Sequence, residues 1–142
     1  MTTDSAAHPA PAGHRVALGA LWFGLFGAPV VWSIQLMLNY GLVTHSCFPA
    51  SEPRTTPLFG GLRTTVLLAG AVALAIALAA GVTAWRSWRA TRHEHPGGQE
   101  SLLEVGEGRT RFMALAGMLV SGLFVLGVIM NAIPLFIMPL CR

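Results

Sequence analysis

The sequence predicts an all-α membrane protein with three transmembrane helices, an N-terminus in the cytoplasm and a C-terminus in the periplasm. Charged residues make up 11% of the chain and hydrophobic residues 54%, whereas soluble domains carry about a quarter charged residues. No Asp, Glu, Lys or Arg occurs between Val16 and Glu52, between Thr64 and Trp85, or between Phe112 and Cys141. Stretches of roughly 20 apolar residues cross a bilayer as helices, because lipid offers no partner for an unpaired backbone group.

The three helices are predicted at about residues 15–43, 62–88 and 109–138, and together they form one transmembrane domain over 15–142. Residues 1–14 contain Pro, Ala, Ser and Thr without an apolar period. Such a segment cannot bury a core of its own, so we predict a cytoplasmic tail that is disordered or bound to a partner.

The distribution of arginine predicts the orientation. The chain has nine basic residues, all of them Arg. Five lie between Arg86 and Arg111, whereas the connection between the first two helices holds only Arg54 and Arg63. The connection that is richer in Arg is expected in the cytoplasm, which places the first connection and the C-terminus in the periplasm. The positive charge therefore reports topology, and no nucleic-acid partner is predicted.

Small residues on the first two helices predict close helix packing. Residues four apart lie on one face of a helix, and small side chains there let another helix approach closely. The positions selected on this basis are Gly24, Ala28, Ala69, Ala73, Ala77 and Gly81. The side of the second helix with Leu74 and Leu78 is expected to face lipid.

The inner end of the second helix has the pattern of an interface anchor, with Trp85 and Trp88 alternating with Arg86 and Arg89. Amphipathic rings lie at headgroup depth in membranes, and Arg side chains extend to lipid phosphates. Phospholipid is therefore a predicted partner of this segment.

Cys47 and Cys141 follow the first and third helices, so the predicted topology places both at the periplasmic end. Thiols in an oxidising compartment tend to pair, and we predict a disulfide between them. Two separate free thiols are the plain alternative. A Cu(I) site formed by His45, Cys47, Met138 and Cys141 is another, because thiolate, thioether and imidazole ligands suit that ion.

Gln35 and Asn39 share one face of the first helix, and Asn131 lies at a comparable depth on the third. The plain interpretation is interhelical hydrogen bonding between amides, which contributes roughly 0.6–2 kcal/mol in lipid. The functional alternative is a polar site for a quinone headgroup, a lipid or a proton path. No acidic residue lies within a predicted span, which disfavours a proton relay through this chain alone.

No Walker loop, dinucleotide-binding glycine motif, zinc-protease motif or nucleophile elbow occurs in the sequence. We therefore expect no enzymatic activity, no catalytic residue and no cofactor bound by this chain.

Two stretches carry a resemblance. The residues concerned are Gly27–Trp32, Gln35, Asn39–Val43 and Cys47 in the first stretch, and Asn131–Pro134 leading to Cys141 in the second. These stretches resemble small uncharacterised three-helix bacterial proteins that are encoded beside haem–copper terminal oxidases. The resemblance implies an accessory subunit of an inner-membrane respiratory complex, such as cytochrome c oxidase, in electron transport. Haem and copper would then belong to partner subunits. The alternatives are an assembly factor for copper or haem insertion and a homo-oligomeric small transporter.

Overall fold

In a computed structural model, the described residues 17–91, 107–139 and 141 form three long α-helices, and a loop over 48–61 joins the first helix to the second. The helices are α1 (Leu18–Cys47), α2 (Leu62–Thr91) and α3 (Glu107–Ile137), with a short 3-10 helix over Pro49–Ser51. All three α-helices contact one another. Each is long and apolar enough to cross a membrane. The proposed tail over 1–14 lies outside the described residues.

The helix α1 continues four residues beyond its predicted end at Val43 and stops at Cys47. Phe48 precedes Pro49, and a residue before proline is sterically disfavoured in the helical region. Phe48 accordingly has a φ of −130° and a ψ of 55°. Proline, rather than the polar residues Thr44 and His45, therefore ends the helix, and both polar residues belong to its last turns.

The interior of the bundle consists of small side chains. Ala28 of α1 and Ala77 and Ala80 of α2 are fully buried at its centre. Val66, Cys47, Ser46 and Ser121 are the largest side chains that are completely buried among the described residues. The helices thus pack almost backbone to backbone, and the large apolar side chains point outward.

The buried stripe on α2 only partly follows the predicted four-residue spacing. Ala73 and Ala77 are buried, whereas Ala69 and Gly81 are half-buried. A spacing of four residues drifts about 40° per repeat around a helix of 3.6 residues per turn. The stripe therefore continues at Ala80 and then at positions 84 and 87, which are also buried.

Candidate functional site

The structure joins Cys47 and Cys141 as a disulfide, as the sequence predicts, with their Cα atoms 5.2 Å apart. Both cysteines are buried at the same end of the bundle, one in the last turn of α1 and the other beyond α3. The bond links the first and third helices across 94 residues of chain. Their parallel course brings these distant positions together.

The loop after α1 folds back over the disulfide and caps the helix. The backbone N–H of Arg54 donates to the carbonyl oxygen of Cys47 at 2.8 Å, and that of Leu58 donates to Ser46 at 3.2 Å. The last carbonyls of a helix have no partner within it, so these bonds satisfy groups that would otherwise be exposed at the end. The loop also contains Ala50 in the left-handed region, with a φ of 53°.

The copper alternative loses two of its four proposed ligands in this structure, because Cys47 and Cys141 share a disulfide and are not thiolates. His45 and Met138 are both exposed at this end. Among the described residues, no group of three or more His, Cys, Asp or Glu side chains is placed to hold a metal ion.

A line of polar side chains follows α1 along the face that it turns toward the bundle. Trp32, Gln35 and Asn39 are three and four residues apart, which keeps them on one side of the helix. The indole Nε1 of Trp32, Oε1 of Gln35 and Oδ1 of Asn39 are all buried without a hydrogen-bond partner. Ser46 lies about two turns beyond Asn39, and its buried hydroxyl also has no hydrogen-bond partner.

The third helix completes this polar line. A Cβ atom placed on Gly127 of α3 would lie 3.1 Å from the indole nitrogen of Trp32, and the Trp32 ring packs edge-on against Phe124. Asn131 lies one turn beyond Gly127, and its Nδ2 is also buried without a partner. The structure thus contains no hydrogen bond between Asn39 Oδ1 and Asn131 Nδ2, the amide pairing that the plain interpretation of the sequence implies.

Unpaired buried polar atoms are costly, at roughly 1–3 kcal/mol each by mutational measurements. Native proteins satisfy them with protein groups, ordered water or a ligand. Chemically the line offers acceptors at Gln35 and Asn39 and donors at Trp32 and Asn131. It can hold neutral hydrogen-bonding groups, and it has no charge with which to hold an ion.

The opposite end of the bundle is fixed by a junction of small residues that includes the predicted Gly24. A Cβ atom on Gly24 would lie 3.1 Å from the Cβ of Ala84, and one on Gly117 would lie 3.0 Å from the carbonyl oxygen of Gly24. One residue from each helix therefore meets at this point. Ala84 and Gly117 were not among the predicted packing residues, although the continuation of a 3.5-residue spacing would have found Ala84.

The predicted interface anchor lies at the end of α2 beyond this junction. Trp85, Arg86 and Arg89 are exposed, and the guanidinium of Arg89 lies over the Trp85 ring at 4.7 Å from its centroid. Trp88 is half-buried. The aromatic and cationic side chains are thus arranged side by side at the rim of the bundle.

No known family, curated protein or solved structure matches this chain.

Proposed function

We propose that this chain is a three-span protein of the bacterial inner membrane. In this proposal it is a non-catalytic accessory subunit of a respiratory complex, and it stabilises that complex by packing its helices against the other subunits. A haem–copper terminal oxidase is the complex that the sequence resemblance indicates. Haem and copper belong to the partner subunits in this proposal.

The distribution of side-chain size carries the membrane part of the proposal. Alanine and glycine fill the bundle interior, while Met37 is 78% exposed and Tyr40 is 76% exposed. A soluble bundle buries its large apolar side chains to remove them from water. In lipid that driving force between helices is absent, and association depends on close packing of small residues. The arrangement is therefore suited to a hydrocarbon environment.

Two independent features support the same orientation. Arg86 and Arg89 lie at the end of α2 that is remote from the disulfide, and a basic end is expected in the cytoplasm. The Cys47–Cys141 disulfide lies at the other end, and disulfides persist in an oxidising compartment such as the periplasm. The N-terminus then lies in the cytoplasm and the C-terminus in the periplasm.

The proposal that this chain is a subunit of a larger complex is supported by small residues on the outer surface of the bundle, where none of the three helices covers them. Gly41 of α1 and Gly122 of α3 have no atom within 4 Å of the position of an added Cβ. Small residues on the outer side of a membrane helix allow a neighbouring helix to approach closely. Tyr40, beside Gly41, adds a phenol group that can donate a hydrogen bond to such a neighbour.

Extraction of native membranes in a mild detergent, followed by native electrophoresis, tests this proposal. We expect the chain to migrate in a large band that has haem absorbance, and mass spectrometry should identify oxidase subunits there. A Gly41→Leu variant should migrate alone, whereas Gly19→Leu, a matched open glycine at the far end of α1, should stay in the complex.

Migration of the unaltered chain alone and without haem would refute the accessory role. A stable homo-oligomer would instead favour a transporter. Normal assembly of the oxidase with reduced copper content after removal of this chain would favour an assembly factor.

A further inference from the structure

A cavity of about 180 Å³ lies between α2 and α3, with Gln35 of α1 in its lining. Its walls are apolar and include Gly70, Ala71, Ala132 and Phe136. Ala71 and Phe136 are exposed, so the cavity opens on the outer surface of the bundle between the two helices. In the proposed membrane setting this opening faces lipid.

Gln35 is the polar side chain of this lining. It is only 4% exposed, and its Oε1 has no hydrogen-bond partner. Its Nε2 lies against Gly70, 3.2 Å from the position of an added Cβ there. The absence of a side chain at Gly70 therefore leaves room for the amide to reach between the helices. A buried amide oxygen without a partner, beside an open cavity, indicates a ligand that donates a hydrogen bond to it.

A second groove follows along the same pair of helices. It has a volume of about 320 Å³ and is lined by Gly81, Trp85, Met118 and Gly122, among others. Val128 lines the first cavity and Val125 the second, so the two adjoin along α3. The seam between α2 and α3 thus has two compartments. The compact one contains the Gln35 amide, and the longer one is almost wholly apolar.

We propose that this seam binds a neutral lipid with a hydroxyl-bearing ring and a hydrocarbon tail, that is, a quinol-type lipid. The ring occupies the cavity at Gln35, and the tail lies in the adjoining groove or in the bilayer. A cavity of about 150 Å³ accommodates benzene, so a substituted six-membered ring matches the compact compartment at Gln35 in size. No charged side chain lines either compartment, which favours an uncharged ligand.

A phospholipid is the main competitor for this site. The guanidinium of Arg63 lies 5.9 Å from the centroid of the Phe136 ring, so a phosphate could bind at the mouth of the cavity. An acyl chain in the cavity would nevertheless leave Gln35 Oε1 unpaired. The ring hydroxyl of a quinol donates a hydrogen bond to that oxygen, whereas a quinone carbonyl can only accept one, and for this reason we assign the site to the hydroxyl-bearing ring.

The test uses the purified full chain in detergent and compares decyl-ubiquinol, kept reduced under anaerobic conditions, with decylbenzene, which has the same tail but no ring hydroxyl. We expect the quinol to raise the unfolding midpoint at concentrations where decylbenzene has little effect. Gln35→Leu should weaken quinol binding about tenfold, the effect of losing one hydrogen bond. Ala132→Phe should abolish binding by filling the cavity, whereas Ile133→Phe, at an exposed neighbouring position, should preserve it.

Equal affinity for the two compounds, or an unchanged affinity in Gln35→Leu, would overturn the proposal. If Gln35→Leu does not fold, unaltered binding by Ala132→Phe would overturn it. Binding of phosphatidic acid that is lost in Arg63→Gln, without any binding of the quinol, would assign the site to a phosphate-bearing lipid instead. Because the measurement uses the isolated chain, its outcome is separate from whether the chain belongs to a respiratory complex.

Discussion

The hydroxyl of Ser121 on α3 donates a hydrogen bond of 3.2 Å to the backbone carbonyl oxygen of Gly24 on α1, 97 residues earlier. Ser121 is 1% exposed. A side-chain donor can reach the carbonyl of another helix only where the helix backbones are very close. Gly24 allows that approach because it has no side chain, so the hydrogen bond and the small-residue junction depend on each other.

Gly117→Ala should destabilise the bundle. The added Cβ would lie 3.0 Å from the Gly24 carbonyl oxygen, a backbone atom that cannot move without shifting α1. Overpacking of this kind costs typically 1–3 kcal/mol. Gly122→Ala is the matched control on the same helix, because its Cβ would meet no atom within 4 Å. Thermal unfolding in detergent measures both, and equal midpoints for the two variants would contradict the close approach of α1 and α3.

Ala77→Leu should weaken the packing of α2 against its neighbours. Ala77 is fully buried in one cluster with Ala28 and Ala80, so three further carbon atoms at this position would disturb those contacts. We expect a loss of about 1–3 kcal/mol, as for other small-to-large changes. Ala79→Leu adds the same group at an exposed position of the same helix and should leave stability almost unchanged. A similar loss in both variants would mean that α2 presents a different face to the bundle.

The Cys47–Cys141 disulfide should protect both cysteines from alkylation until reductant is added. Cys47→Ser should expose Cys141 to a maleimide mass tag and lower the free energy of unfolding by about 2–4 kcal/mol, since a long loop is released in the denatured chain. Because one bond joins the two residues, a variant with both cysteines replaced by Ser should lose no more free energy of unfolding than either single variant. Labelling of both cysteines in the unreduced protein would exclude the bond.

Fusion reporters should establish the orientation. An enzyme that is active only in the periplasm should function when fused after Arg142 and fail when inserted at Gly97, because the arginine imbalance predicts a cytoplasmic location for position 97. A cytoplasmic reporter at the same two sites is the control and should give the reverse result. The opposite pattern would invert the topology and remove the oxidising environment that the disulfide requires.

The elements that sequence reasoning predicted were those that depend on composition or on chain direction. Three long uncharged stretches indicate three helices, and alternating directions bring Cys47 and Cys141 to one end. The first helix was predicted to end at about Val43, whereas α1 ends at Cys47, because the steric effect of Pro49 on Phe48 decides the boundary.

Helix packing could be predicted only in part. Small residues on α2 were recognised as a packing face, but Ala84 was not, because the prediction followed a strict four-residue spacing from Ala69 to Gly81 and not the 3.6-residue period of the helix. The unpaired atoms of Gln35 and Asn39 follow from side-chain positions in three dimensions. The sequence shows that the amides are present but not whether they reach each other.

The disulfide also has a consequence for the order of events during synthesis. In the proposed topology Cys47 reaches the periplasm with the first nascent helix, while its partner lies 94 residues further along the chain. Ribosomes add about 5–20 residues per second, so Cys47 waits on the order of 5–20 s as an exposed thiol. During this interval an oxidant can couple it to a foreign thiol. Correct pairing therefore requires either slow oxidation or an enzyme that exchanges wrong partners, and the finished bond marks a chain whose third helix has been inserted.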